Sequence, residues 1–271
     1  CKFCQNWDIS KSRSFDKLLD QASPEAIARC AEKQGCKSVA FTYNDPVIFA
    51  EYAMDVADAC HARDIKTVAV TAGYIHAQPR RDFFAKMDAA NVDLKAFTDE
   101  FYVKQTGSHL QPVLETLKYL KHETDVWLEL TILLIPGLND SSQEISAMSE
   151  WIVKELGTDM PLHFSAFHPD YKLNDIPSTP VETLIQARKI ALEAGLQYVY
   201  TGNVHNLEGD TTYCPACGKA VIVRDWYEIK QYHLTPEGRC ENCNTVIAGR
   251  FGQFSGQFGR QRIPVRIGAT V

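Results

Sequence analysis

The chain has 271 residues, 45% of them hydrophobic, with a net charge of -6 from 28 Lys and Arg against 34 Asp and Glu. Such a length buries one large core, or a large core plus a small module, and the acidic balance gives no footing for nucleic-acid binding. No run of about 18 apolar residues exists, so no membrane span is expected, and no secretory leader is visible.

Ser23-Pro24-Glu25 reads as an N-cap with proline in the first helical position, and Gly35 closes that helix. Ser38 to Tyr43 is a short buried strand. The helix from Val47 to Arg63 puts Ile48, Tyr52, Val56 and Cys60 on one face. A strand at Thr67 to Val70, a helix at Arg80 to Ala90 and a strand at Val92 to Lys95 follow, then a helix near Pro112–Lys121. The longest apolar run, Val126 to Ile135, is a strand stopped by Pro136-Gly137. Ser141 and Glu144 form a capping box for a helix ending at Gly157. After a strand at Leu162 to Phe167, Thr179 and Glu182 repeat that signal for a helix closing at Gly195, and Gln197 to Thr201 is the last strand. Apolar strands alternating with amphipathic helices predict parallel β/α units.

Asn44-Asp45, Thr71, Lys95, Gly137, His168 and Asn203 fall at or just past the C-terminal ends of strands. Barrel enzymes build sites there from several strands, whereas an open doubly wound sheet gathers its site at one switch point. The expected fold is α/β, a partial (β/α)6-type TIM barrel over residues 1–206. It lacks its first strand, which is expected upstream of residue 1. A small β-rich module at 207–249 and a Gly/Gln/Arg-rich tail at 250–271 follow, the tail expected to be mobile or draped over the surface.

Nine cysteines sort into three C-x-x-C pairs and three lone residues, Cys30, Cys36 and Cys60, which read as small buried hydrophobes. Such pairing favours metal over disulfides, and with it a reducing, cytoplasmic setting. Cys214/Cys217 and Cys240/Cys243 are two knuckles 22 residues apart, close to a zinc-ribbon pattern. Four thiolates saturate a structural Zn, although iron in a rubredoxin-like site or an auxiliary cluster uses the same ligands.

The pair Cys1/Cys4 alone fits zinc, a redox dithiol or an iron–sulfur cluster. The polar stretch after it argues against a thioredoxin-type motif. Cys1-Lys2-Phe3-Cys4-Gln5-Asn6-Trp7 resembles the last two cysteines of the C-x3-C-x2-C signature of the radical S-adenosylmethionine (SAM) superfamily, with Phe3 as the usual aromatic. The first cysteine of that signature is expected four residues before Cys1. The resemblance runs over most of the chain and is strongest to the pyruvate formate-lyase activating enzyme branch, in particular the radical SAM member of the AmmeMemoRadiSam system.

The resemblance implies a three-cysteine [4Fe–4S] cluster that cleaves SAM reductively to a 5′-deoxyadenosyl radical, which takes hydrogen from a substrate. It also implies a reductant such as flavodoxin or ferredoxin as partner. Asn44 and Asp45 stand where the branch has the Gly and Glu of a Gly-Gly-Glu-Pro segment that meets the SAM amino group. Asp93-Leu94-Lys95 matches its Asp-Leu-Lys, which implies Lys95 near the SAM carboxylate and Asp93 near a cation or the substrate. Leu134 to Gly137 matches the strand end beside the nucleoside, and His168 the position that approaches adenine. Val70-Thr71-Ala72-Gly73 departs from the acid and Thr-Asn-Gly turn of relatives, which leaves a cation site beside Thr71 without its acid.

On residue type alone, a strand-end lysine is a solvated group and a histidine a structural one. Asp93 on a buried strand is harder to assign so blandly, because an unpaired carboxylate is costly to bury. Three readings compete: a radical SAM enzyme on a small-molecule or protein substrate, an activase that abstracts hydrogen from a glycine of a partner protein, and a metal-stabilised binding module without catalysis. A zinc hydrolase would need a mixed His/Asp/Glu set with an open position, and no H-x-x-H-like pair supplies one.

Overall fold

The computed structural model describes residues 1–10, 22–252, 264, 265 and 267. Chain order begins with α1 (Trp7–Ser10), α2 (Pro24–Lys33) and β1 (Ser38–Phe41). A 3-10 turn (Pro46–Phe49) then runs into α3 (Ala50–His61), followed by β2 (Lys66–Thr71), α4 (Ala77–Phe84) and β3 (Ala89–Asp93). Next come α5 (Asp99–Phe101), a π turn (Tyr102–Thr106), α6 (Leu110–Glu123) and β4 (Trp127–Leu134). The remaining units are α7 (Ser142–Leu156), β5 (Leu162–Ala166), α8 (Val181–Glu193) and β6 (Val199–Gly202). Finally α9 (Leu207–Asp210) leads into β7 (Thr212–Tyr213), β8 (Ala220–Asp225) and β9 (Glu228–Tyr232).

Strands β1 to β6 form one six-stranded sheet in sequential order, open as a partial barrel requires, and β7 to β9 form a second sheet. The tail expected at 250–271 lies largely outside the described residues. The chain divides into two compact units, one of Cys1–Leu128 with Pro169–Asp175, the other of Glu129–His168 with the chain from Ile176 into the ribbon.

In the first unit β1, β2 and β3 pair in parallel, with Phe41 opposite Ala69 and Thr71 opposite Val92. Helix α2 starts as its sequence dictates: Ser23 Oγ accepts from the Ala26 N–H at 3.2 Å, Pro24 opens the helix, and Gly35 ends it in the left-handed region. The helix expected from Val47 begins instead as the 3-10 turn, capped by Asp45 Oδ1 on the Val47 N–H at 3.1 Å. Its tighter period rotates Ile48 off the buried face. Val56 and Cys60 are fully buried, whereas Ile48 is 74% exposed and Tyr52 40%. The helix expected to reach Ala90 stops at Phe84, because Ala89 and Ala90 already pair with β2.

In the second unit β4, β5 and β6 pair in parallel, Leu130 opposite Leu162 and Leu162 opposite Val199. Burial alternates along all three strands, with Leu130, Ile132, Leu134, Phe164 and Val199 on the covered face. A parallel sheet covered on both faces reads as continuous apolar sequence. Here Glu129, Thr131, His163, Ser165 and Tyr200 occupy the other face and are only half-buried, so that face carries polar contacts.

Ser141 caps α7 as expected, its Oγ accepting from the Glu144 N–H at 3.2 Å. Thr179 does not cap α8, whose N-cap is Pro180. The buried Thr179 hydroxyl instead donates to the Leu134 carbonyl at 2.6 Å and accepts from the Phe167 N–H at 3.0 Å. It thereby splices the ends of β4 and β5. Thr179→Val is expected to lower unfolding free energy by about 1–3 kcal/mol, since two buried backbone groups lose a partner; denaturant titration measures it.

Candidate functional site

In the first unit the cysteine loop is fixed from its middle. Lys2, between Cys1 and Phe3, donates its N–H to the Gln105 carbonyl at 2.9 Å and accepts the Lys172 N–H on its own carbonyl at 3.0 Å. Phe3 is buried at 4% exposure against Phe101, ring centroids 5.8 Å apart, so the loop is anchored by one aromatic while Cys1 stays exposed and Cys4 half-buried.

Beneath that aromatic lies the pair expected from the Asp-Leu-Lys segment. Lys95 Nζ sits 2.8 Å from Asp93 Oδ2 and 5.9 Å from the Phe3 ring centre, with its side chain 18% exposed. The Lys95 N–H donates to the Tyr102 hydroxyl at 3.0 Å, and burial pushes that phenol up to about 12. Burial pulls the Lys95 ammonium down, but the Asp93 charge and hydrogen bond, with Tyr102 and Asp45 nearby, outweigh it, so its pKa is raised. Lys95 is therefore a cation throughout the neutral range, and its contribution fades only as the pH rises past the ordinary ammonium value.

Asp45 ties the ends of β1 and β2 together. Its Oδ1 accepts from the Thr71 hydroxyl at 2.8 Å and its Oδ2 from the Ala72 N–H at 2.8 Å. Thr71 is buried, and its hydroxyl also accepts from the Gly73 N–H at 3.1 Å. Gly73 has φ 65° and a Cβ there would meet Val92 Cγ1 at 2.9 Å, so this turn requires glycine. Asp45 and Thr71 thus build the rim, whereas their neighbour Asn44 keeps a buried Oδ1 with no hydrogen-bond partner. Gln5 Nε2 and Gln105 Oε1, beside the cysteine loop, are likewise buried and unpartnered.

His168 belongs to the second unit, exposed just past β5. The strand end at Leu134 to Gly137 is held there by Asn139, whose Oδ1 accepts from the Ile135 N–H at 2.7 Å and whose Nδ2 donates to the Leu133 carbonyl at 2.9 Å. One constellation escaped sequence reading: His163 Nε2 lies 2.8 Å from Glu129 Oε2, and its ring stacks on Tyr200 at 4.9 Å. The alternation of β4 and β5 signals that these residues face inward, but their meeting depends on register between strands.

The second unit also gathers the four remaining paired cysteines. The sulfurs of Cys214, Cys217, Cys240 and Cys243 all lie within 4.8 Å of one another, with 3.5 Å between Cys214 and Cys243 and 3.8 Å between Cys217 and Cys240. A tetrahedral ion with metal–sulfur bonds of about 2.3 Å sets sulfurs about 3.8 Å apart, so the four fit a single ion. A cubane cluster, with a thiolate pointing outward from each iron, would hold them farther apart.

Both knuckles have the same backbone. Cys214 donates its N–H to Lys219 at 2.8 Å and accepts from Gly218 at 2.9 Å; Cys240 does so with Thr245 at 2.9 Å and Asn244 at 2.8 Å. The returning residue is left-handed in each, Gly218 at φ 69° and Asn244 at φ 61°, two residue types that tolerate this region. Thr245, through its hydroxyl and N–H, brings the Cys243 thiol down to about 6, while burial pushes Cys214 up to about 11. The ribbon's core is small: Cys214, Val221, Ile222, Leu234, Cys240 and Ile247 pack together with Tyr198, whose hydroxyl accepts the Ala248 N–H at 3.2 Å.

The sequence profile of the radical SAM superfamily matches residues 1–148. An uncharacterised protein of Methanocaldococcus jannaschii is 40% identical over 248 residues, covering 91% of this chain and 73% of that one. A 4-hydroxyphenylacetate decarboxylase activating enzyme of Clostridioides difficile is 24% identical over 165 residues, 57% of this chain and 52% of that enzyme. The chain thus spans about half the length of that activating enzyme. Among solved structures, a domain of the pyruvate-formate lyase-activating enzyme of Bacteroides vulgatus superposes with a TM-score of 0.54 at 17% identity, over 61% of this chain and 98% of that one; it shares the fold. With the profile spanning more than half of the chain, this protein belongs to the radical SAM superfamily, and activating enzymes are among the curated proteins it resembles.

Proposed function

We propose that the first unit binds a [4Fe–4S] cluster through Cys1, Cys4 and a third cysteine, with SAM beside it, and that the protein uses them to take hydrogen from a substrate. The observation that carries this reading is the half-buried Asp93–Lys95 pair below Phe3, next to the rim where Asn44 Oδ1 has no donor. A zwitterionic amino acid end needs both: a cation for its carboxylate and an acceptor for its ammonium. When bound and reduced, the cluster supplies the electron that splits the SAM sulfonium.

The chain's residues then bind and orient. Lys95, held by Asp93, offers a charge-assisted bond to the SAM carboxylate. Asn44 takes the amino group, with Asp45 and Thr71 fixing its loop. Phe3 and Phe101 keep water away from the charges. His168 is proposed at the adenine. The ribbon's ion is proposed to be structural Zn, and the divisions 1–206, 207–249 and 250–271 stand as proposed domains. No described helix is long and apolar enough to cross a membrane; a cytoplasmic setting and a flavodoxin or ferredoxin reductant belong to the same proposal. The names of the relatives favour a second, narrower reading, activation of a glycyl-radical partner protein.

Anaerobic reconstitution of the protein from its complete gene tests this. Expected are a visible absorbance bleached by dithionite and 5′-deoxyadenosine released from SAM; an intact, reduced cluster that yields none would favour the non-catalytic binding module. Lys95→Met is expected to weaken SAM binding on the order of 100-fold, about 2–3 kcal/mol, measured by calorimetry, with the ribbon's metal content unchanged.

A further inference from the structure

The segment Pro169–Asp175 follows β5 in the chain but packs with the first unit. Its Lys172 N–H holds the Lys2 carbonyl at 3.0 Å, between the two cysteines. Its Asp170 Oδ1 accepts from Trp7 Nε1–H at 2.8 Å and from the Tyr171 N–H at 2.7 Å, and the Tyr171 ring stacks on Trp7 with centroids 5.7 Å apart at 16°. Lys172 Nζ lies over the Tyr171 ring, 5.2 Å from its centre. Tyr171 stands at φ 53°, a conformation a bulky side chain adopts only where its surroundings impose it, and Asn174 Nδ2 fixes its carbonyl at 2.8 Å.

We propose that Asp170-Tyr171-Lys172 is a clasp that fixes the direction of the cysteine loop, with Asp170 and Tyr171 as positioning residues for the cluster. The inference rests on the cluster reading above. The loop is gripped on two sides, by Gln105 on the Lys2 N–H and by Lys172 on the Lys2 carbonyl, and at its end by the Trp7 bond to Asp170. One carboxylate oxygen joins the cysteine loop to the bend of the clasp, so loss of that oxygen frees both.

The test uses the complete, reconstituted protein with Asp170→Ala, Asp170→Asn and Trp7→Phe. Asp170→Ala is expected to raise hydrogen exchange at the Lys2 and Lys172 amides and to release cluster iron to a chelator roughly tenfold faster, the effect of losing a hydrogen bond to a charged acceptor. Asp170→Asn, which keeps Oδ1 as acceptor, should restore both rates. Trp7→Phe, which keeps a stacking ring without the N–H, should fall between them and carries the test should Asp170→Ala fail to fold. Wild-type exchange and iron release in folded Asp170→Ala, with the cluster present, would overturn the clasp and leave the cluster reading standing. Should wild-type protein assemble no cluster, that reading fails, and the exchange rates alone decide the clasp.

Discussion

Cys240→Ser is expected to release the ribbon's metal and unfold the chain from Thr211 to Ala248. The module's buried side chains are too few to order some 40 residues against the conformational entropy of the chain. Metal in such a site contributes folding energy outright, an apparent 10–16 kcal/mol or about that for four thiolates in small zinc modules. The unfolding should not stop at the module. Tyr198 is 4% exposed under the ribbon, its hydroxyl holds the Ala248 N–H, and Tyr200 meets Thr212 at 3.0 Å. Losing the metal therefore uncovers the start of β6, and the sheet's last strand loses one side of its packing. Metal analysis, proteolysis between residues 207 and 249 and a lowered melting temperature check it; an unchanged melting temperature after metal loss would show that the ribbon folds without its ion.

Cys4→Ala carries the other large effect, loss of iron–sulfur content and of SAM cleavage to background, with one ion still in the ribbon. The two cysteine sets belong to separate compact units, so their energetics should add independently. Cys4 lies next to Phe3, the anchor of the loop, and its half-buried sulfur is 3.7 Å from Ser10 Oγ, so alanine removes a ligand and little packing. Iron, sulfide and zinc analysis of purified variant and wild type reads both sites at once. Zinc alone in wild type, lost on this change, would contradict the assignment.

Much of the fold was legible because its signals are local. Ser23-Pro24, Ser141 with Glu144, and the left-handed Gly35 and Gly195 each act within a few residues of where they stand. The four-cysteine spacing was equally readable, since each knuckle closes on itself. Thr179 shows where local reading fails: it has a cap's sequence, but the free carbonyl at the end of β4, 45 residues earlier, competes for its hydroxyl. Ile48 had the period of a buried face and lost it when Asp45 tightened the first turn. Glu129, His163 and Tyr200, and likewise Trp7 and Asp170, meet only through strand register and chain return, which no short stretch encodes. Asp93 and Lys95 were legible through resemblance, and their pairing gives that resemblance a physical reason.

The cysteine loop and the Asp93–Lys95 pair are proposed to form one site in which SAM contacts the cluster directly. Electron paramagnetic resonance of the reduced, reconstituted protein with and without SAM tests it. SAM is expected to shift the g-values in wild type and to do so only weakly in Lys95→Met. A fully reduced cluster whose spectrum ignores saturating SAM would contradict it.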